Sequence, residues 1–399
     1  MNEKLTVRKF REYLQIKTVH PNPDYASAVS FLDDYAEELG IDAKHVKIDK
    51  DREVVVMTIP GRNKKLPSIL LNSHVDVVPV FEDDWKFDPW GAHKDDKGNI
   101  YGRGAQDMKC VGIQYLEALR ILTKTKKQTF ERTIHLTFVP DEEINNGDMG
   151  MKLFLDTPEF SVMNVGLALD EGIANSDNNY SVFYGERLMW VVHIKCKGNP
   201  GHGSRFIQGT AAEKLQNVID NFLAFRTSEE NRLSNNPGLT LGDVTTVNLT
   251  MIKGGVHQNV VPGEIVATFD IRLPPTIDLK ALEEKIASWC NEAGNDVTSE
   301  FECKDTCQTI TTADQTNPWW RAFTFAFHER NLQYTKEIFC GCTDGRFLRE
   351  RGYQVIGFSP MRNTPILLHD NNEFLNESVF LEGIELYCDI ISAIANLKC

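Results

Sequence analysis

Apolar and polar positions along the first half of the chain repeat with two periods. Residues 5–16 and 25–39 have the helical one, and the second segment closes at Gly40, a residue suited to a left-handed helix cap. Strand-like and helical stretches then alternate: "EVVVMTI", "SILLNSHV", a helix from about Lys109 to Leu122, "TIHLTFV" and "VGLALD". This βαβ rhythm predicts an α/β layer structure, a mostly parallel sheet with helices against it.

The texture changes after about Arg187. "LMWVVHIKCKG" reads as a strand and "TAAEKLQNVIDNFLAF" as a helix, opened by a Thr210–Glu213 capping box and striped by Leu215, Val218, Ile219, Phe222 and Leu223. Strands "TTVNLTMIKG" and "EIVATFDIRL", a helix from Leu279 to Ala293 and strand "VTSEFECK" complete a βαββαβ order in about 115 residues, the ferredoxin-like pattern. "NPWWRAFTFAFHERN", "RGYQVIGFSP" and a C-terminal helix return to the first style. The expected organisation is therefore one domain of residues 1–187 and 306–399, interrupted by a smaller one at 188–305.

Composition narrows the function classes. A chain of 399 residues exceeds one ordinary core, and 41% hydrophobic content is that of a globular protein. With 43 basic against 57 acidic residues the net charge is −14, and no basic cluster offers a footing for nucleic acid. The first residues, "MNEKLTVRKFREYLQI", form a charged amphipathic helix, and no apolar run is long enough to span a bilayer, so a cytoplasmic location without membrane attachment is expected. Nine cysteines in such a setting predict mostly free thiols; neither Cys303/Cys307 nor Cys340/Cys342 has zinc-finger spacing.

Candidate chemistry begins with "SHVD" inside an aliphatic strand. His74 and Asp76, two apart, project to one face, while Leu71, Val75 and Val77 face the other way. Such a pair is either a buried histidine satisfied by its own carboxylate or a metal ligand oriented by an acid. Other acids and histidines fall at comparable places. Asp107 follows the glycine-rich turn "YGRGAQD"; Asp141, Glu142 and Glu143 follow the strand ending at Pro140; Asp170 and Glu171 end "GLALDEG"; His369 ends "PILLHD", read as a further strand. These positions converge on one edge of a parallel sheet, where open α/β sheets place their sites. Mixed histidine and carboxylate ligands suit Zn²⁺, and three or more carboxylates with two histidines suit a pair of ions.

"SHVDVVP", "GRGAQDMK", "PDEE" and "LLHD" together resemble the co-catalytic zinc metallopeptidases of the aminoacylase and carboxypeptidase G kind, and the likeness runs nearly end to end. It implies an aminopeptidase-like α/β/α catalytic domain with two zinc ions per chain, and a ferredoxin-like lid that also forms a homodimer. The implied reaction is hydrolysis of N-acyl-L-amino acids to a free amino acid and a carboxylate by metal-bound hydroxide. His74 and Glu171 would hold one zinc, Glu143 and His369 the other, and Asp107 would bridge them. Asp170 is the alternative to Glu171. Asp76 would orient His74, Glu142 would be the general base, and the Asp107–Met108 peptide would be cis. His202, in "NPGHGSRF", would reach the partner subunit's active site. Asn259 and Arg272 would hold the substrate carboxylate, and Thr343 and Arg346, in "CTDGR", would face substrate, although Cys342 and Gly345 depart from the family's usual residues. Two other readings compete: a carnosinase-like di-zinc dipeptidase, and a catalytically inactive binding or scaffold relative.

Overall fold

The computed structural model describes residues 3–144 and 149–398 and divides the chain into two units. One contains Met1–Gly185, Ile310–Glu337 and Thr343–Cys399; the other contains Glu186–Thr309 and Ile338–Cys342.

The first unit is built on an eight-stranded sheet. Its spatial order is Ala43–Asp49, Arg52–Ile59, Ile134–Val139, Ser68–His74, Val165–Asp170, Gln354–Phe358, Tyr180–Glu186 and Tyr334–Phe339. The four central strands, Ile134–Val139 to Gln354–Phe358, run parallel, as the βαβ rhythm predicts. Arg52–Ile59, Ala43–Asp49 and Tyr180–Glu186 add antiparallel margins. Strand alternation divides the apolar side chains between two faces. Val55, Met57, Ile69, Leu71, Leu167 and Leu169 meet the helices Leu5–Leu14, Tyr25–Leu39, Lys109–Arg120, Pro318–Glu329 and Glu377–Ala395. Val54, Val56, Leu70, Ala168 and Val355 face a smaller cluster with Phe154, Phe160, Phe347 and Leu348. The result is the expected α/β/α layering. Asp24 caps Tyr25–Leu39 by accepting from Ser27 N–H, and Gly40 ends it at φ +60°.

The second unit has a four-stranded antiparallel sheet, ordered Thr246–Gly254, Glu264–Leu273, Leu188–Lys197 and Val297–Lys304. Helices Ala211–Ser234 and Leu279–Glu292 supply Leu215, Val218, Phe222, Ile286 and Trp289 to the cluster that Trp190, Val192, Ile194, Phe269 and Ile271 form on the sheet. Phe222 stacks on Phe269 at 3.9 Å. The Thr210–Glu213 capping box is present.

Two local expectations are corrected. "PILL" at 365–368 is not a strand but irregular loop, with Ile366 about half exposed. Pro365 has no N–H for a ladder, and Leu367 gives its own to the side-chain oxygen of Gln106. The Asp107–Met108 peptide is not cis. The one cis bond among the described residues precedes Pro21, in keeping with the roughly 3 kcal/mol that disfavours cis bonds elsewhere. The eight described cysteines are free, and no described helix is long and apolar enough to cross a membrane.

Candidate metal centre

His74 is the last residue of the central strand Ser68–His74 and is buried. Its Nδ1–H donates to the peptide oxygen of Asp76 at 2.9 Å. That bond turns Nε2 toward Asp107 Oδ1 at 2.9 Å and Glu171 Oε2 at 3.6 Å. Asp107, at the mouth of helix Lys109–Arg120, turns its second oxygen, Oδ2, to His369 Nε2 at 3.2 Å. His369 Nε2 in turn lies 3.3 Å from Glu143 Oε2. Two groups of potential ligands, His74–Asp107–Glu171 and Asp107–Glu143–His369, thus share Asp107, with one carboxylate oxygen toward each.

Asp76 does more than face His74. Its carboxylate, with no exposed surface, lies 3.6 Å from His74 Nδ1 and accepts the consecutive N–H groups of Glu142 and Glu143 at 3.1 and 3.0 Å. Both glutamates therefore hang from one buried acid. Among the described residues no group hydrogen-bonds the Glu142 carboxylate, and the buried Oε1 of Glu143 has no partner either.

Charge in this pocket is unbalanced. Burial, reinforced by Glu171, raises the Glu142 carboxyl well above its usual range. Burial and Asp107 do the same for Glu171, and push Glu143 up to about 7. Burial also opposes ionisation of Asp107, but His369 and His74 hold it well below the ordinary value. His369 is pushed up to about 10 by Asp107 and Glu143; His74 is raised by Glu171 and Asp107 against the pull of burial. Four carboxyl groups share two imidazoles, an excess of negative charge that cations would balance. Ligands about 2 Å from one zinc ion lie roughly 3–4 Å apart. The 3.6 Å between His74 and Glu171 and the 3.3 Å between His369 and Glu143 have that spacing. The donor set fits zinc.

Asp170 takes no part in these groups. It accepts from Asn72 Nδ2, which also donates to Asp344, so Glu171 is the acid that meets His74. Thr343 is buried before helix Gly345–Glu350, accepting Gly345 N–H at 3.1 Å, and the Arg346 guanidinium lies over the Phe347 ring at 4.5 Å. The second unit carries the other three expected residues. His202 pairs with Val260 across a short two-stranded sheet, and Gly203 N–H donates to the Asn259 carbonyl at 2.8 Å, so His202 and Asn259 are neighbours. Arg272 engages Asp270 through Nε and Nη2 at 2.8 and 3.0 Å.

The sequence did not mark a second set of polar residues. Asp141 is buried at φ +63°; Tyr25 OH donates to its Oδ1 at 2.6 Å, and Arg52 pairs with Oδ2. His20 stands between Asp76 and Asp141, at 3.4 and 3.3 Å. Asp141 was visible within "PDEE", but nothing in the spacing of His20, Tyr25 and Arg52 pointed to it.

Residues 70–393 match peptidase family M20/M25/M40, and the chain belongs to that family. Similar proteins include several aminoacylases-1. It is 51% identical to aminoacylase-1A of Rattus norvegicus, over 99% of this chain and 97% of that protein. To aminoacylase-1 of Homo sapiens it is 50% identical over 98% and 96% of the two chains. Among solved structures, the YXEP protein of Bacillus subtilis, described as a dinuclear metal binding peptidase from the M20 family, superposes with a TM-score of 0.70 at 15% identity, covering 98% of each chain.

Proposed function

We propose that this chain is a metal-dependent amidohydrolase that hydrolyses N-acyl-L-amino acids to a free L-amino acid and a carboxylate, using two zinc ions. The observation that carries this reading is Asp107, whose two oxygens address two separate histidine–glutamate pairs. His74 and Glu171 would hold one ion, Glu143 and His369 the other, and Asp107 would serve both. Zinc bound there would supply Lewis acidity for the amide carbonyl and a water whose pKa is lowered to about 7.

The chain's own groups do the rest. Glu142 takes a proton from the attacking water and delivers it to the leaving nitrogen, so the C–N bond breaks to give amine and carboxylate. A carboxyl raised by burial suits both halves of that task. Asp76 keeps base and ligand in register through their adjacent N–H groups. In a homodimer the partner subunit's His202 donates to the developing oxyanion. Asn259 and Arg272 receive the substrate carboxylate; Arg272 is itself held by Asp270 through Nε and Nη2 and by Cys342 Sγ through Nη1 at 3.6 Å. Thr343 and Arg346 face the remainder of the substrate. The reaction fits a cytoplasmic enzyme.

The test is a panel of N-acetyl-L-amino acids, their D-enantiomers and matched dipeptides, followed by release of free amine. Hydrolysis of the L-series, abolished by chelation and restored by zinc, is expected. Preference for the dipeptides would support the carnosinase-like reading, and zinc binding without turnover would support an inactive relative.

A further inference from the structure

His369 is an unusual ligand in this set. It sits on an irregular loop, at φ +61°, with half of its side chain exposed, so no strand or helix fixes its position. What fixes it comes from the loop that carries Asp107. Glu373, fully buried, accepts four hydrogen bonds from that loop. Its Oε2 accepts Arg103 Nη1 at 2.7 Å and Gly104 N–H at 3.1 Å. Its Oε1 accepts Gln106 N–H at 2.6 Å and Asp107 N–H at 3.2 Å. Arg103, also buried, uses Nη2 to hold the His369 carbonyl at 3.2 Å. Gln106 completes the bracket, donating to the Pro365 and Phe374 carbonyls at 3.0 and 2.9 Å and accepting Leu367 N–H at 3.1 Å.

We infer that Glu373 is a positioning residue for metal binding: through Arg103 and the 104–107 peptides it sets the distance between Asp107 and His369, and so assembles the Glu143–His369 half of the centre. This rests on the two-metal reading above. The clamp is separable from the fold. Strand Phe374–Asn376 pairs with Asn99–Tyr101 independently of Glu373's side chain, so the two segments remain attached without it. In Glu373→Gln an amide NH₂ must face either the Arg103 side or the Gln106 and Asp107 N–H groups, all of them donors. The mouth of the Asp107 loop then opens, whereas the His74–Glu171 pair, carried by two central strand ends, keeps its place.

The experiment is zinc binding by full-length wild type and Glu373→Gln in zinc-buffered solutions, read by plasma emission and by competition with a chromophoric chelator. Wild type should hold two ions. The variant should hold one at unchanged free zinc and take the second only at about 10- to 100-fold higher concentration, the usual effect of removing a group that orients a ligand. At saturating zinc its KM should return to the wild-type value. Near-UV circular dichroism checks that it is folded; if it is not, Arg103→Met, which removes the link to the His369 carbonyl and one of the four hydrogen bonds to Glu373 while leaving the three backbone ones, is measured in the same way and should show the same one-site loss. A folded variant with two wild-type affinities, or with both sites weakened alike, overturns the inference. A wild type with a single site overturns the two-metal reading itself.

Discussion

Asp76→Asn is the most informative single change, because the carboxylate has duties on two sides. The substitution keeps shape and volume, and removes one charge. Of the two oxygens that accept the Glu142 and Glu143 N–H groups, one becomes an NH₂ that cannot accept. A hydrogen bond to a buried charged group is worth about 1.5–3 kcal/mol, and a donor is now set against a donor, so the loss of stability should be about 2–4 kcal/mol. The ionisation of Asp76 gives a figure of the same order. Burial opposes it, yet His20, His74 and the Glu143 N–H hold the carboxyl at about 2, against a reference of 3.8. At about 1.4 kcal/mol per unit, that shift corresponds to roughly 2.5 kcal/mol. The sign follows from a lowered folded-state value. The stabilisation is present above pH 3.8 and disappears as pH falls through about 2, so wild type and variant should differ by a constant amount near neutrality and converge in acid.

Function should suffer more than stability. Glu142 and Glu143 are held by adjacent peptides, and a shift of their turn by about 1 Å costs on the order of 10²-fold in rate. Zinc affinity should fall by about 10- to 100-fold, because His74 also loses a neighbouring negative charge. The assay is denaturant unfolding at several pH values, with kcat measured at saturating zinc so that rate and occupancy are separated. A variant with kcat within threefold of wild type and unaltered zinc affinity would refute the reasoning.

Glu142→Gln should keep both zinc ions and lose kcat by roughly 10²–10⁴, whereas Glu143→Gln should lose zinc; metal analysis showing the opposite pattern would exchange their roles. Glu142→Gln and His202→Asn should each be nearly inactive as homodimers. Co-expressed at equal amounts, half of their dimers are mixed, each with one intact site, and about a quarter of wild-type activity should return. Mixed dimers no more active than the parents would place His202 in its own subunit's site or outside catalysis.

The parts of the fold legible in the sequence are those whose burial leaves a regular apolar pattern. The central strands are apolar on both faces, and the 188–305 segment alternates cleanly, because each packs where its pattern says it should. The two edge strands of the large sheet were not legible. Ala43–Asp49 and Tyr334–Phe339 carry Lys44, His45, Lys47, Thr335 and Lys336 and bury few residues, so they resemble loops until a neighbouring strand takes their backbone groups. The error at 365–368 is the converse. Four residues that look like a strand lack a neighbour, since Gln106 occupies Leu367 N–H and the Pro365 carbonyl.

The candidate ligands were legible for a physical reason: side chains at the ends of parallel strands must emerge at one edge, so their convergence can be counted without coordinates. The groups that hold them follow no such rule. Asp141 and His369, beside the glutamate pair and at the last ligand, both adopt the left-handed backbone region, which costs a non-glycine residue about 1–2 kcal/mol. Each is offset by a distant arginine. Arg52, from a strand margin, pairs with the Asp141 carboxylate, and Arg103, anchored by Glu373, holds the His369 carbonyl. Neither arginine touches a potential ligand's donor atom, and neither is near its target in the chain. A motif records the residues that would meet the metal; these cations hold the irregular segments instead, one through a carboxylate and one through a carbonyl, so their requirement is for reach and charge rather than for spacing. A site whose ligands leave regular structure needs such supports, and they become visible only when the hydrogen bonds of the irregular segments are accounted for one by one.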